Sequence, residues 1–149
     1  MRPLRTAVMV AGCLAALAAC DETGRGAAGG DPAAMPAASD GAGLYAEYCA
    51  ACHGAGGRGD GPLARAMSKP PKDLTLLALR HGDTFPTARV LNMVDGYARS
   101  DLDGPGMPEF GELLAGDLVP YDSGDGIATP TPRRMVAIVE YLRTIQQTR

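Results

Sequence analysis

The segment Cys49-Ala50-Ala51-Cys52-His53 constrains this chain more than any other, because it combines a CxxC pair with an adjacent imidazole. A CxxC pair can bind zinc, exchange a disulfide or attach a haem. A structural zinc site needs four ligands, and the chain offers only His53, which lies too close to both cysteines, and His81. A thiol–disulfide exchanger places its CxxC at the start of a helix beside a strand. Here an apolar stretch with helical spacing leads into the motif instead.

Haem attachment accounts for the whole motif. On a helical turn, thiols at positions i and i+3 lie on one face and can bond two vinyl groups of one porphyrin. The side chain at i+4 then projects over the ring, where an imidazole can bind the iron. We therefore predict one covalently attached haem c, held by Cys49 and Cys52, with His53 as an axial ligand. The chain has no Trp and only two Phe, so an apolar cofactor would supply much of its core.

The N-terminus indicates export. In residues 1–19 two arginines precede an apolar, Ala-rich run that is short for a transmembrane helix. The sequence Leu17-Ala18-Ala19-Cys20 resembles the bacterial lipoprotein signal, which predicts cleavage before Cys20 and its lipidation. The alternative is a plain signal peptide that happens to end at a cysteine. After cleavage only the CxxC pair remains in the folded part, so no disulfide framework is expected.

Residues 20–40 are predicted to be a flexible linker anchored at Cys20. Gly, Ala, Pro and Asp dominate this stretch, and Met35 is its only large apolar residue. The folded domain is then expected over residues 41–149. The predicted location is the periplasmic face of the inner membrane, reached through the lipid on Cys20.

The periodicity within residues 41–149 predicts an all-α domain, since no run alternates like a strand for long. Four helices are expected from their apolar spacing and their end signals. The first has Leu44, Tyr45 and Tyr48 on one face, and the second is capped by Asp73 and ended by Gly82. The third has Pro86 in its first turn, Gly96 at its end and, on one side, Val90, Met93 and Val94. The last has Thr131 as cap, Pro132 in the first position and, at helical spacing, Met135, Ile138, Val139, Leu142 and Ile145. Tyr45 or Leu44 is expected to pack on Tyr141 or Leu142.

These stretches resemble the class I c-type cytochromes over most of residues 43–149. Residues 43–63 are similar to their first helix and CxxCH motif, "GMPEFG" to their Met-Pro ligand loop, and "RRMVAIVEYLRTIQ" to their closing helix. Residues 59–75 are similar to a bacterial subgroup of small exported monohaem cytochromes. The resemblance implies a class I cytochrome c fold of three to five helices around one haem. It also implies that the Pro62 carbonyl accepts the free N–H of His53.

Met107 is the predicted sixth ligand of the iron. Pro108 keeps Met107 out of helical geometry, and the glycines before it let the backbone approach the ring. The alternative use of Met107 is to fill a gap in the core. His81, Met93 or an open sixth position are the other possibilities. Arg58, Lys72 and Tyr97 are candidates for contacts to the haem propionates, or are ordinary solvated surface residues.

Two protein ligands leave the iron no vacant position, which favours one-electron transfer over enzymatic chemistry. The predicted function is a membrane-tethered electron carrier between redox proteins. The alternatives are a haem-based sensor of small ligands and a fixed subunit of a larger oxidoreductase. The formal charge of −3 gives no support to nucleic-acid binding and favours a cationic partner surface. A monomer is expected.

Overall fold

The structure, a computed structural model, describes residues 34–97 and 106–149. Their elements in chain order are α1 (Ala38–Tyr48), α2 (Ala50–His53), a 3-10 helix (Ala64–Ala66), a second 3-10 helix (Leu74–Leu76), α3 (Leu77–Arg80), α4 (Thr87–Asp95), α5 (Gly111–Leu114), β1 (Leu118–Asp122), β2 (Ala128–Pro132) and α6 (Arg133–Thr144). None of the helices in these residues is long and apolar enough to cross a membrane. The predicted signal peptide and Cys20 lie outside the described residues.

The core is built where α1 packs on α6. Gly41 of α1 is buried, and a Cβ atom there would overlap the backbone carbonyl of Ala137 in α6, so glycine permits the close approach of the two helices. One turn later the rings of Tyr45 and Tyr141 lie with their centroids 5.0 Å apart. The predicted packing of Tyr45 on Tyr141 is confirmed. The buried side chains of α6 are Met135, Val136, Ala137, Ile138, Val139 and Leu142.

Two of the predicted helices end or begin where their signals placed them. The Asp73 carboxylate accepts a hydrogen bond from the Thr75 N–H at 2.9 Å, so it caps this segment, which starts as a 3-10 turn and continues as α3. Helix α4 ends at Gly96, which has a φ of +105°, as a left-handed C-terminal glycine should. Pro86 occupies the N-cap of α4 rather than its first turn.

The expectation of an all-α domain with three to five helices is only partly met, because the described residues contain six α-helices and an antiparallel hairpin of β1 and β2. The register of the hairpin runs from Leu118 opposite Pro132 to Asp122 opposite Ala128. On β1, Val119 and Tyr121 are buried while their neighbours are exposed, which is the alternation of a strand with one face on the core. The run is short and contains prolines, which disfavour strands except at edges, so the sequence shows little of its period of two.

The hairpin also corrects the predicted start of the last helix. Thr131 and Pro132 belong to β2, and α6 begins at Arg133 with Pro132 as its N-cap. The Thr131 hydroxyl donates to the Thr129 carbonyl at 2.9 Å, so it is not a helix cap. The Tyr121 hydroxyl donates to the Glu140 carboxylate at 2.5 Å, which holds β1 against α6.

Candidate functional site

The CxxCH motif lies where α1 bends into α2. The Cys49 N–H donates to the Tyr45 carbonyl at 2.9 Å, and the His53 N–H donates to the Cys49 carbonyl at 2.9 Å. Helical hydrogen bonding therefore continues through the bend. It places the two thiols one turn apart, with the imidazole immediately after the second. Both cysteines are free, with Cys49 buried and Cys52 half-buried.

The electrostatics of the thiols do not suit disulfide exchange. Burial raises the pKa of the Cys49 thiol to about 11, and the neighbouring Cys52 adds to the shift. Reactive thiols of disulfide exchangers have a lowered pKa, because the thiolate is the nucleophile. At neutral pH Cys49 is a neutral, buried thiol, which argues against a role in thiol–disulfide exchange, as the sequence does.

The His53 ring is held in one tautomer by the backbone. Its Nδ1 lies 3.0 Å from the Lys72 carbonyl oxygen. Because a carbonyl only accepts, Nδ1 carries the proton and Nε2 keeps its lone pair. Burial lowers the pKa of His53 and outweighs the bond to Lys72, which raises it. A neutral imidazole with a free Nε2 is the form that binds a metal.

The acceptor of this bond corrects the expectation for Pro62. Lys72, not Pro62, supplies the carbonyl to His53. The chain around Pro62 is instead turned onto the outer side of α2, since the Leu63 N–H donates to the Ala51 carbonyl at 2.9 Å, and Pro62 itself is exposed. The segment that reaches the imidazole comes ten residues later, by the numbering of the chain.

The loop after His53 folds back and satisfies the carbonyls at the end of α2. The Gly59 N–H donates to the His53 carbonyl at 2.8 Å, and the Gly61 N–H donates to the Cys52 carbonyl at 3.1 Å. Gly59 has a φ of +79°, and a Cβ atom there would overlap the Pro71 carbonyl. Glycine is therefore required where the loop passes the segment that carries Lys72.

Residues just after α6 hold the stretch that follows Lys72. The Gln147 N–H donates to the Thr75 carbonyl at 2.8 Å. The Gln146 side chain accepts from the Ala78 N–H at 2.9 Å and donates to the Leu74 carbonyl at 2.8 Å. Sequence reasoning missed both glutamines, because two polar residues near a C-terminus carry no local signal of a long-range contact.

Met107 belongs to a second segment near the core. It is half-buried and packs against the core cluster. Three residues later, the Phe110 N–H donates to the Val94 carbonyl at 3.0 Å, and the centroid of its ring lies 6.3 Å from that of Tyr48. The glycine at position 104 in the predicted ligand loop lies outside the described residues.

The other candidates from the sequence have simpler surroundings. His81 follows the end of α3 and is exposed, and its Nδ1 lies 2.7 Å from the carbonyl oxygen of Leu77, the first residue of that helix. Met93 is half-buried on α4. Arg58 and Lys72 have exposed side chains, and Tyr97 is 86% exposed. Each of these residues therefore has an ordinary explanation, either as an exposed surface side chain or as part of a helix.

The donor set and its surroundings fit a haem. The site offers two free thiols on one helical turn and a neutral imidazole with a free Nε2. Met107, the predicted thioether ligand, is half-buried against the core cluster that also contains Cys49. Large apolar side chains remain only partly buried against the core, which is the environment that an apolar porphyrin would complete. They include Tyr48, Leu74, Leu77, Leu91 and Phe110.

The comparison with protein families agrees with this chemistry. The family described as cytochrome c oxidase, cbb3-type, subunit III matches residues 36–118, which is more than half of the chain. The chain belongs to this family of c-type cytochromes. A cytochrome c domain transfers electrons through haem c and is not itself catalytic. The match ends at the first residue of β1, so α6 and nearly all of the hairpin lie beyond it. No curated protein and no solved structure matches the chain.

Proposed function

We propose that this cytochrome is a membrane-tethered one-electron carrier with a single covalently bound haem. In this proposal Cys49 and Cys52 form the thioether bonds, and His53 and Met107 are the axial ligands. Lipid on Cys20 holds the chain at the periplasmic face of the inner membrane. The observation that carries the proposal is the His53 ring, whose Nδ1 is committed to the Lys72 carbonyl at 3.0 Å while Nε2 is left for the iron.

The haem supplies, when bound, a reversible one-electron change between ferrous and ferric iron. The protein's own residues limit what else can happen there. The hydrogen bond from His53 to Lys72 keeps the imidazole in one orientation in both redox states. A thioether from Met107 is soft and neutral, which favours the ferrous state and raises the potential relative to two imidazoles. With both positions taken by side chains, small ligands are excluded.

The tether is proposed for its effect on encounter rates. A lipid at Cys20 would confine the domain to a plane. The linker, predicted over residues 20–40 but ended by the start of α1 at Ala38, would let the domain swing between donor and acceptor, which raises their effective concentration. Changing Cys20 to Ser should release the protein into the soluble periplasmic fraction with its haem intact. Continued membrane attachment of this variant would contradict the anchor and leave the haem ligands untouched.

Spectroscopy of the purified protein tests the ligand assignment. We expect a low-spin ferric form with the near-infrared sulfur-to-iron band and a ferrous form that does not react with carbon monoxide. Met107→Ala should keep its haem, lose the band, bind carbon monoxide and show a lower potential. Met93→Ala is the matched control and should retain the wild-type spectrum.

Three outcomes are informative. A wild-type ferrous form that is high-spin and binds carbon monoxide at once would favour a small-ligand sensor over a carrier. Unchanged spectra in Met107→Ala would mean that another residue is the sixth ligand. If Met93→Ala instead loses the near-infrared band and binds carbon monoxide, Met93 is the sixth ligand.

The family description favours one second candidate, a cytochrome subunit fixed in a larger oxidase. The two functions differ in how the protein behaves in mild detergent. A free carrier should migrate as a monomer whose protein mass is below the 15.3 kDa of the full chain, because the proposed cleavage before Cys20 removes residues 1–19. A fixed subunit should copurify in constant proportion with other haem-containing or copper-containing chains.

A further inference from the structure

Charge is distributed unevenly over the described residues. Residues 54–72, which we call the basic lobe, contain four cations and one carboxylate, a formal charge of +3. Residues 106–125 contain five carboxylates and no lysine or arginine, a formal charge of −5. The chain as a whole carries −3. A molecule that meets the basic lobe therefore encounters the opposite sign from the one that the net charge suggests.

The cations of the basic lobe are available for a partner. All four have exposed side chains, namely Arg58, Arg65, Lys69 and Lys72. Within residues 34–97 and 106–149, none of them pairs with a carboxylate. The cations of α6 are engaged within the molecule: Arg143 pairs with Glu140 at 3.4 Å, and the Arg134 guanidinium lies 5.7 Å from the centroid of the Tyr48 ring.

The basic lobe adjoins the CxxCH motif through several hydrogen bonds. The Gly59 N–H donates to the His53 carbonyl at 2.8 Å, and the Leu63 N–H donates to the Ala51 carbonyl at 2.9 Å. The His53 ring donates to the Lys72 carbonyl at 3.0 Å. Leu63 is 53% exposed, so an apolar side chain is accessible beside the motif and within the cationic segment.

The lobe also lies at the far end of α6 from the point where the chain enters the domain. The Arg133 guanidinium, at the start of α6, donates to the Ala34 carbonyl. Beyond the other end of α6, the Gln147 N–H donates to the Thr75 carbonyl at 2.8 Å, three residues after the lobe. A helix of 12 residues is about 18 Å long. A chain held through its N-terminus therefore keeps the lobe away from its attachment.

We propose that the basic lobe is the docking surface for a carboxylate-rich redox partner protein. The inference rests on the proposed function and names the side of the molecule through which the electron passes. Exposed cations steer an acidic surface toward the lobe, and complementary charge sets its orientation. The exposed Leu63 supplies an apolar contact close to Cys52. The acidic segment at residues 106–125 disfavours the reverse orientation.

Charged small oxidants can separate the local charge from the net charge. Stopped-flow oxidation of the ferrous protein by ferricyanide transfers one electron from the iron and yields ferrocyanide. If the basic lobe surrounds the exit of the electron, this rate should fall as salt rises, because attraction to the trianion is screened. Oxidation by the cationic tris-phenanthroline cobalt(III) ion should show the reverse trend.

A pair of double variants with equal charge change provides the control. Arg65→Glu with Lys69→Glu should lower the low-salt rate with ferricyanide by about tenfold and abolish its fall with salt. Arg89→Glu with Arg149→Glu changes exposed cations outside the lobe and should alter the rate by less than about twofold. A wild-type rate with ferricyanide that rises with salt would overturn the proposal, as would equal effects in the two double variants.

A binding measurement tests the docking surface independently of electron transfer. Poly-L-glutamate at low salt should shift the backbone amide signals of residues 58–72 in the ferrous protein, and the lobe double variant should remove these shifts. Shifts confined to other residues would contradict the docking surface even if ferricyanide oxidises the protein. Binding to phosphatidylglycerol vesicles without any response to poly-L-glutamate would assign the lobe to a lipid surface and overturn the protein partner. Failure of ferricyanide to oxidise a protein that still shows the amide shifts would count against the carrier function alone.

Discussion

His53 and Met107, the two predicted iron ligands, sit in segments that the fold supports differently. His53 has its own hydrogen bond to the Lys72 carbonyl, and the segment that follows Lys72 is held by residues just after α6. In the Met107 segment, the Phe110 N–H donates to the Val94 carbonyl and the Phe110 ring lies near that of Tyr48.

Because of this difference, we expect substitutions near the two predicted ligands to have two kinds of effect. On the imidazole side, we expect a substitution far away in the sequence to change the orientation of the His53 ring. On the thioether side, we expect a substitution to change the distance between Met107 and the proposed iron. The first kind should appear mainly in stability and in the environment of the ring, and the second in the spin state of the iron.

The largest effect is expected when the two cysteines that attach the haem are replaced, in contrast to replacing the predicted sixth ligand. Cys49→Ser with Cys52→Ser should abolish covalently bound haem, because no thiol remains to bond the vinyl groups. Met107→Ala should retain it fully. Haem staining of denaturing gels measures both. Equal loss of haem in the two variants would remove the distinction between the two sides.

The next effect is expected in the loop behind His53. Gly59→Ala places a side chain at a φ of +79° and against the Pro71 carbonyl, so we expect a loss of about 3 kcal/mol in the free energy of unfolding. Gly56→Ala is the matched control, since its Cβ atom would meet only Arg58 at 3.9 Å. It should change stability by less than about 0.5 kcal/mol. Denaturant unfolding of both variants decides whether the loop is as rigid as its hydrogen bonds indicate.

Gln146→Ala tests the long-range support of the imidazole side. It leaves the Ala78 N–H and the Leu74 carbonyl without their side-chain partner, which should cost about 2 kcal/mol. The Nδ1 proton of His53 should also exchange faster with solvent, as seen by NMR of the ferrous protein. Thr148→Ala, at an exposed position, should leave both quantities unchanged. A loss of stability without faster exchange would show that Gln146 does not act on His53.

Gly111→Ala tests the thioether side with a smaller change. Its Cβ atom would lie 2.6 Å from the Asp95 carboxylate and 2.9 Å from the Asp95 carbonyl, so α5 must shift by a few tenths of an ångström at a cost of about 1 kcal/mol. We expect a weaker near-infrared sulfur-to-iron band with no loss of haem. Gly43→Ala, which meets open space, should leave the band at full strength. An unchanged band in Gly111→Ala would mean that the Met107 segment is held as firmly as His53.

The smallest effect is expected in the hairpin, away from both ligand segments. Burial, reinforced by the bond to Glu140, raises the pKa of Tyr121 to about 12, above its ordinary value of 10.0. The folded state therefore keeps this proton more tightly than the unfolded state, so its contribution is complete below pH 10 and is lost between about pH 10 and 12. Tyr121→Phe should flatten this part of the stability curve. A curve identical to that of the wild type would contradict the raised pKa of Tyr121.

The imidazole itself could be predicted because its signal is local. A helical turn fixes the geometry of residues 49–53, and the capping signals at Asp73 and Gly96 are equally short in range. The acceptor of the His53 proton could not be predicted, because it depends on how a glycine-rich loop folds back and brings Lys72 to the ring. The contacts of Gln146 and Gln147 span most of the domain and leave no trace in the local sequence.

The hairpin shows a second reason for failure. Its inward face carries only Val119 and Tyr121, so a period of two has little room to show, and prolines at Pro120 and Pro130 resemble breaks between elements. The backbone pairing is specified by the turn, where the Asp122 carboxylate accepts hydrogen bonds from three successive N–H groups. The positive charge of the basic lobe can be counted from the sequence, but the net charge of the whole chain has the opposite sign and does not indicate it.

The packing of α1 on α6 joins the first and the last described elements of the chain. Their contacts therefore link residues that lie far apart in the sequence. Cys49 is buried against the core that α6 completes. While residues 133–144 are not packed on α1, the thiol at this position is accessible to reagents. The packing of these two helices closes the domain and ends that access.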